Sequence, residues 1–342
     1  MTDGKSLATA ATVLTGGAVP PAWADSVPRT VDIGGIPMSA LVSEVPRPRA
    51  VVVALHGGAV TSAYFDQRTQ PRQSLLATGA ALGFTVIALD RPGYGASAPY
   101  ADRMATVASR LDLAYATIDG FLAGRSRGAG VFVLAHSMGC VLAVQMAADE
   151  RGRDLLGLEI AGIGLRPHAE ADTFMGPLTR GAPTEAPTTA TTEEPARVNL
   201  RDLLWRPPHL YPAGAAAALA LSNSPRYEGG DVRRWIDSFP GLAAHVRIPV
   251  HYTLGDHERV WSSGPAALAD VAALFTASPR VAAVEQPDAG HNLSLGLSAM
   301  AYHLKVLAFA EECALAREYS GTGAGTASLT RARTASAPYE EG

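Results

Sequence analysis

Apolar residues fall along this chain in two alternating rhythms. Short uninterrupted apolar runs (Val51–Leu55, Thr85–Leu89 and residues 131–135) each give way to a longer stretch with helical spacing, over residues 70–82, 104–122 and 140–148. A continuous run of four to eight residues reads as a strand buried on both faces, and a spacing of three and four as a helix with one buried face. Repeated strand–helix alternation predicts an α/β chain with a parallel sheet and crossover helices. Upstream, residues 30–36 and 38–43 read as a hairpin turned at Gly34-Gly35 or Ile36-Pro37. Downstream, residues 155–160, 248–254 and 281–285 read as further strands, and residues 266–275 and 297–316 as helices.

The rhythm breaks between residues 165 and 241. Residues 181–196 (GAPTEAPTTATTEEPA) are rich in Pro, Thr and Glu and are expected to be mobile. Short helical pieces follow over residues 199–205, 213–221 and 231–239. The two ends, residues 1–29 and 318–342, lack periodicity and are expected to be a flexible leader and a disordered tail.

Composition narrows the function classes. The chain has 342 residues, 47% hydrophobic and 18% charged, below the typical charged share of about 25%, which suits a packed globular protein. A net charge of −4 gives no basic patch for nucleic acid. No apolar run approaches the roughly 18 residues of a membrane-spanning helix. Cys140 and Cys313 lie in helical apolar patterns and read as buried, reduced thiols of a cytoplasmic protein, with a disulfide between them left open. Residues 7–19 are weakly apolar and precede Ala22-Trp23-Ala24, a small-residue cleavage pattern that keeps secretion as the alternative; Asp3 and the diluting Thr and Gly residues speak for a leader instead. No P-loop, no G-x-G-x-x-G after a strand and no paired His/Cys ligands occur, so no metal, nucleotide or flavin is expected.

The candidate chemistry lies where apolar runs end. Residues 131–139, VFVLAHSMG, carry a buried strand into a His-Ser-Met-Gly turn and then a helix. A sharp strand-to-helix turn pushes a serine hydroxyl out of the sheet edge; the usual pattern is G-x-S-x-G, and the first glycine is here Ala135, another small residue. Three further segments accompany it: VVVALHGG at residues 51–58, TVIALDRPGYGAS at 85–97, and, far downstream, PVHYTLGDHERV at 249–260 with DAGHNL at 288–293.

Together these segments resemble the α/β-hydrolase superfamily of serine hydrolases, in its capped, HGG / A-H-S-M-G form, over residues 31–317. The resemblance implies an α/β-hydrolase fold: a mostly parallel, doubly wound sheet formed by residues 30–164 and 242–317, with a helical cap, or lid, inserted over 165–241. It also implies a triad in the chain order Ser, acid, His. Ser137 is then the nucleophile. His291, following Gly290 in a loop after a strand, is the base; His251 and His257 are its competitors near the acid loop, and His136 reads as a brace for the elbow. The acid falls on Glu258 by its register to Gly255 and the aliphatic Val260, with Asp256 as the alternative. Oxyanion donors are expected from the backbone N–H groups of Met138 and Gly58, with Ala59 as a further candidate. Arg91-Pro92-Gly93-Tyr94-Gly95 reads as structural. Trp205, Trp235, Tyr211 and Phe239 read as cap core more than as an acyl pocket.

The expected activity is hydrolysis of an ester, thioester or lactone of a small molecule through an acyl-enzyme. Two alternatives keep the fold: elimination, acyl transfer or cyclisation by the same Ser–His machinery, as in enzymes of specialised metabolism, and a non-catalytic binding module, which would show a lost nucleophile or base.

Overall fold

The computed structural model describes residues 26–67, 70, 73–172, 175 and 200–321. Its centre is an eight-stranded sheet: β1 (Val27–Asp32), β2 (Pro37–Ser43), β3 (Val51–Leu55), β4 (Thr85–Leu89), β5 (Val131–His136), β6 (Gly157–Ala161), β7 (Val250–Gly255) and β8 (Val281–Gln286), in the order β1-β2-β4-β3-β5-β6-β7-β8. β1 and β2 pair antiparallel, β2 runs antiparallel to β4, and every later pairing is parallel. The hairpin turns at Gly34-Gly35, both at positive φ. β1 begins at Val27, within the stretch expected to be leader.

Every residue of β3 to β7 is buried. Their unbroken apolar runs have that cause, because helices cover both faces of the sheet. On one face lie α1 (Leu75–Ala81) and the closing helix, whose Leu75, Leu76, Tyr302, Val306 and Phe309 pack on Val52, Ala54 and Phe132. The opposite face carries α2 (Val107–Phe121), α3 (Gly139–Ala148) and their neighbours, which pack Leu111, Ile118, Val144 and Trp235 on Val51, Val53 and Val133. Cys140 and Cys313 are both buried and free, in the two clusters on opposite faces.

Between β6 and β7 the described residues form α4 (Leu200–Leu203), α5 (Ala215–Ala218) and α6 (Tyr227–Ala243), in the stretch expected to be a cap. The Pro/Thr/Glu-rich residues 181–196 lie outside the described residues. After β7 come α7 (Pro265–Ala272) and the closing helix α8 (Ala299–Gly321), which extends past residue 317 into the stretch expected to be tail. No helix among the described residues is long and apolar enough to cross a membrane.

The parallel strands end in register: Leu55 pairs with Leu89 and Ala135, His136 with Ala161, and Gly255 with Gln286. The loops that follow, with the HGG, DRPGYG, Ser137, GDHE and DAGH motifs, are thereby gathered at one sheet edge, where open α/β sheets place ligands.

Candidate active site

Ser137 follows β5 directly, with φ at +51°, a left-handed conformation that costs a non-glycine residue about 1 kcal/mol or more. Its N–H donates to the Ala161 carbonyl at 2.8 Å, which holds the strained turn against β6. Helix α3 starts two residues later at Gly139, where a Cβ would lie 2.3 Å from the Leu55 carbonyl oxygen and 2.6 Å from that of His56. No side chain fits there, so the glycine of the motif permits the close helix–strand approach that leaves Ser137 half-buried and facing the cavity.

The His291 Nε2 lies 3.1 Å from the Ser137 Oγ, and its Nδ1 lies 3.0 and 2.9 Å from the two Glu258 carboxylate oxygens. These partners assign the proton to Nδ1, which donates to the carboxylate and leaves Nε2 as the acceptor for the serine hydroxyl. Both residues are almost wholly buried, at 1% and 2% exposure. Burial alone would raise the Glu258 carboxyl; the attraction of His291 and backbone N–H donors, Val260 at 2.7 Å among them, carry it below its ordinary value. Glu258 is therefore a buried carboxylate whose lone pairs are met.

Asp256 has other partners: it accepts the N–H groups of Asp288 at 3.1 Å and Ala289 at 3.0 Å and so ties the GDHE loop to the DAGH loop. Of the competing histidines, His251 sits in β7 with its Nδ1 2.5 Å from Glu159, and His257 is half-buried beside Asp256. His136 donates from Nε2 to the His291 carbonyl at 2.8 Å and stacks on Tyr64. Burial, then the neighbouring His291, holds its pKa well below the ordinary histidine value, so it is a neutral brace.

Across the cavity runs the loop after β3. The N–H groups of Gly58 and Met138 donate to no described residue, whereas the Ala59 N–H is taken by Tyr94 Oη at 3.2 Å and Ser224 Oγ at 3.1 Å. A cavity of about 350 Å³ opens over Ser137 and His291. Its far wall comes from the segment between β6 and β7: Leu200, Leu204, Trp205, Leu219 and Leu221. The same segment packs on the histidine loop, where a Cβ on Gly290 would lie 2.3 Å from the Arg206 carbonyl oxygen and 2.5 Å from Tyr211 Oη.

The sequence profile of the alpha/beta hydrolase family matches residues 52–301, well over half of the chain. The chain belongs to the alpha/beta hydrolase family. No curated protein sequence matches it. Among solved structures, this hydrolase is similar to a highly thermostable carboxyl esterase from Bacillus coagulans, at 16% identity and a TM-score of 0.59 over 85% of this chain and 98% of that one. It is similar also to a lipase in an open form, at 21% identity and 0.55 over 85% and 99%, and to an epoxide hydrolase from Vigna radiata, at 17% identity and 0.52 over 84% and 98%. At these identities the likeness is one of fold.

Within this alpha/beta hydrolase four aromatic residues between β6 and β7 separate. Trp205 lines the cavity. Trp235 and Phe239 stack on each other in the core, with the Trp235 indole N–H donating to the Gly164 carbonyl. Tyr211 packs edge-on against Trp205, and its hydroxyl accepts the Asn292 N–H at 3.2 Å. Arg91 reads as structural in the sequence. It is 3% exposed, beneath the HGG loop, and paired with Glu228 of α6 at 2.5 Å. That buried partner is brought in from the segment between β6 and β7.

Proposed function

We propose that this alpha/beta hydrolase cleaves an ester, thioester or lactone of a small molecule through an acyl-enzyme on Ser137. One observation carries the reading: the unbroken line from the Ser137 Oγ through His291 to the buried Glu258, at 3.1 and 2.9 Å, opening on a cavity. A serine hydroxyl is a weak nucleophile until a base takes its proton. His291 Nε2 accepts that proton as Oγ attacks the acyl carbon, and Glu258 stabilises the imidazolium so formed. The tetrahedral oxyanion takes its hydrogen bonds from the N–H groups of Met138 and Gly58, each worth on the order of 10²–10³ in rate. His291 then returns the proton to the departing alcohol or thiol. Water, deprotonated by the same imidazole, then attacks the acyl carbon, and His291 returns that proton to the Ser137 Oγ as the acid leaves.

The similarity to an esterase and a lipase supports this class. The epoxide hydrolase among the similar structures makes the nucleophile the deciding residue: a carboxylate at the elbow would suit epoxide or haloalkane opening, and this chain has Ser137 there. The leucine-rich cap wall suits the hydrocarbon part of an acyl group.

A fluorophosphonate probe is expected to modify Ser137, and an aryl ester panel of increasing chain length to show turnover. Ser137→Ala is expected to lose both labelling and turnover, by at least about 10³-fold. An adduct mapped by mass spectrometry to another residue overturns the assignment.

A further inference from the structure

The Gly57–Gly58 peptide is held from behind. The Gly57 carbonyl oxygen accepts two hydrogen bonds, from His56 Nδ1 at 2.8 Å and from Arg91 Nη2 at 2.9 Å. In a planar trans peptide the carbonyl and the following N–H point in opposite directions, so fixing the oxygen fixes the direction of the Gly58 N–H. The His56 proton is assigned to Nδ1 because Nε2 accepts the Arg91 backbone N–H at 3.1 Å. Burial and then the Arg91 charge keep this ring neutral, well below the ordinary histidine pKa.

Arg91 is itself held by the cap. Its Nη2 donates to the Glu228 carboxylate of α6 at 2.5 Å, and its guanidinium lies 4.8 Å from the Tyr94 ring centre. Glu228 accepts the Tyr94 hydroxyl proton at 2.7 Å, and the Tyr94 oxygen accepts the Ala59 N–H, the next amide of the loop. His56, Arg91, Tyr94 and Glu228 are each no more than 4% exposed. A charged donor on a carbonyl polarises its amide and strengthens the N–H on the other side.

We infer that Arg91 is a positioning residue for the Gly58 oxyanion donor, and that Glu228 makes this positioning depend on the cap being seated. The inference rests on the acyl-enzyme reading above. Arg91 touches no reacting atom. It acts through the Gly57–Gly58 peptide, and Glu228 acts through Arg91.

The test compares hydrolysis of an aryl butyrate with that of its thiono counterpart, in which sulfur, a poor hydrogen-bond acceptor, replaces the carbonyl oxygen. A working oxyanion hole favours the oxygen ester. Arg91→Met is expected to lower kcat on the oxygen ester about 10–100-fold with KM within about threefold, below the full cost of losing a donor, and to shrink the oxygen-to-sulfur rate ratio in proportion. Arg91→Lys, which keeps a cationic donor, is expected to recover part of the ratio. Should Arg91→Met not fold, the ratio is read on Glu228→Gln, where it is expected to fall less. A folded variant with an unchanged ratio, while the wild type labels at Ser137, overturns this inference alone. Wild-type labelling elsewhere overturns the acyl-enzyme reading and this inference together.

Discussion

Glu258 and Asp256 lie two residues apart on one loop, yet the fold gives them different partners. The Glu258 carboxylate faces His291 Nδ1 with both oxygens, and Asp256 faces two backbone N–H groups of the DAGH loop. Glu258→Gln is expected to lower kcat on the order of 10³–10⁴-fold with little loss of fold, because an amide cannot stabilise the imidazolium and can impose the wrong tautomer. Asp256→Asn keeps one acceptor and is expected to change kcat less than about tenfold, with about 1 kcal/mol lost from the loop hydrogen bonds. Steady-state kinetics on one ester decides, and the reverse ranking transfers the role to Asp256. Sequence alone leaves the two residues close, because spacing along a loop does not say which carboxylate faces inward; the register from Gly255 to Val260 separates them only through the family resemblance. Arg91 is harder still. In a Pro-Gly loop it reads as structural, and its chemistry depends on Glu228, 137 residues away.

The strands illustrate what periodicity carries and the helix starts what it omits. Val51–Leu55 and Thr85–Leu89 are readable to the residue because both of their faces are covered, so nothing polar blurs their ends. Helices expected from residues 70 and 104 begin instead at Leu75 and Val107, one residue after Ser74 and Thr106, whose side chains accept the N–H groups of Ala77 and Ser109. The capping residue, not the first apolar one, sets the start. Alanine-rich residues 213–221 form only one turn, Ala215–Ala218, with no residue buried, since propensity without a buried face does not sustain a helix in water. Two glycines in helices make opposite predictions. Gly139→Ala sets a Cβ against the Leu55 carbonyl oxygen, so it is expected to destabilise by about 1–3 kcal/mol and to reduce turnover by moving the elbow. Gly241→Ala in α6 meets nothing within 4 Å and is expected to stabilise by about 0.5–1 kcal/mol. Urea midpoints measure both, and equal shifts of one sign would contradict the packing argument at the elbow.

At the scale of the whole molecule, buried imidazoles tie stability to pH. Three histidines are held well below their ordinary pKa chiefly by burial: His56 beside Arg91 and Tyr94, His136 beside Tyr64 and His291, and His303 beside Ser294 and Tyr302, the last brought down to about 3. The unfolded chain binds protons at these positions near pH 6.5, whereas the folded chain does not until far lower. Between those limits the unfolded state carries more protons, so stability rises with pH, is complete above about 6.5, and is lost as the medium is acidified. Each histidine contributes a slope of about 1 kcal/mol per pH unit in that window. The depressed Glu258 carboxyl adds a loss of the same sign below its ordinary value, whereas the raised Asp231 carboxyl acts in the opposite sense and from its ordinary value upward. The three histidines make stability fall from about pH 6.5 downward. Urea unfolding at pH 7.5, 6 and 5 is expected to give a midpoint that falls as the medium is acidified. His303→Gln removes a histidine remote from Ser137. It is expected to lower stability at pH 7.5 yet flatten the dependence by about one proton, and an unchanged slope would show that burial of His303 does not govern its titration.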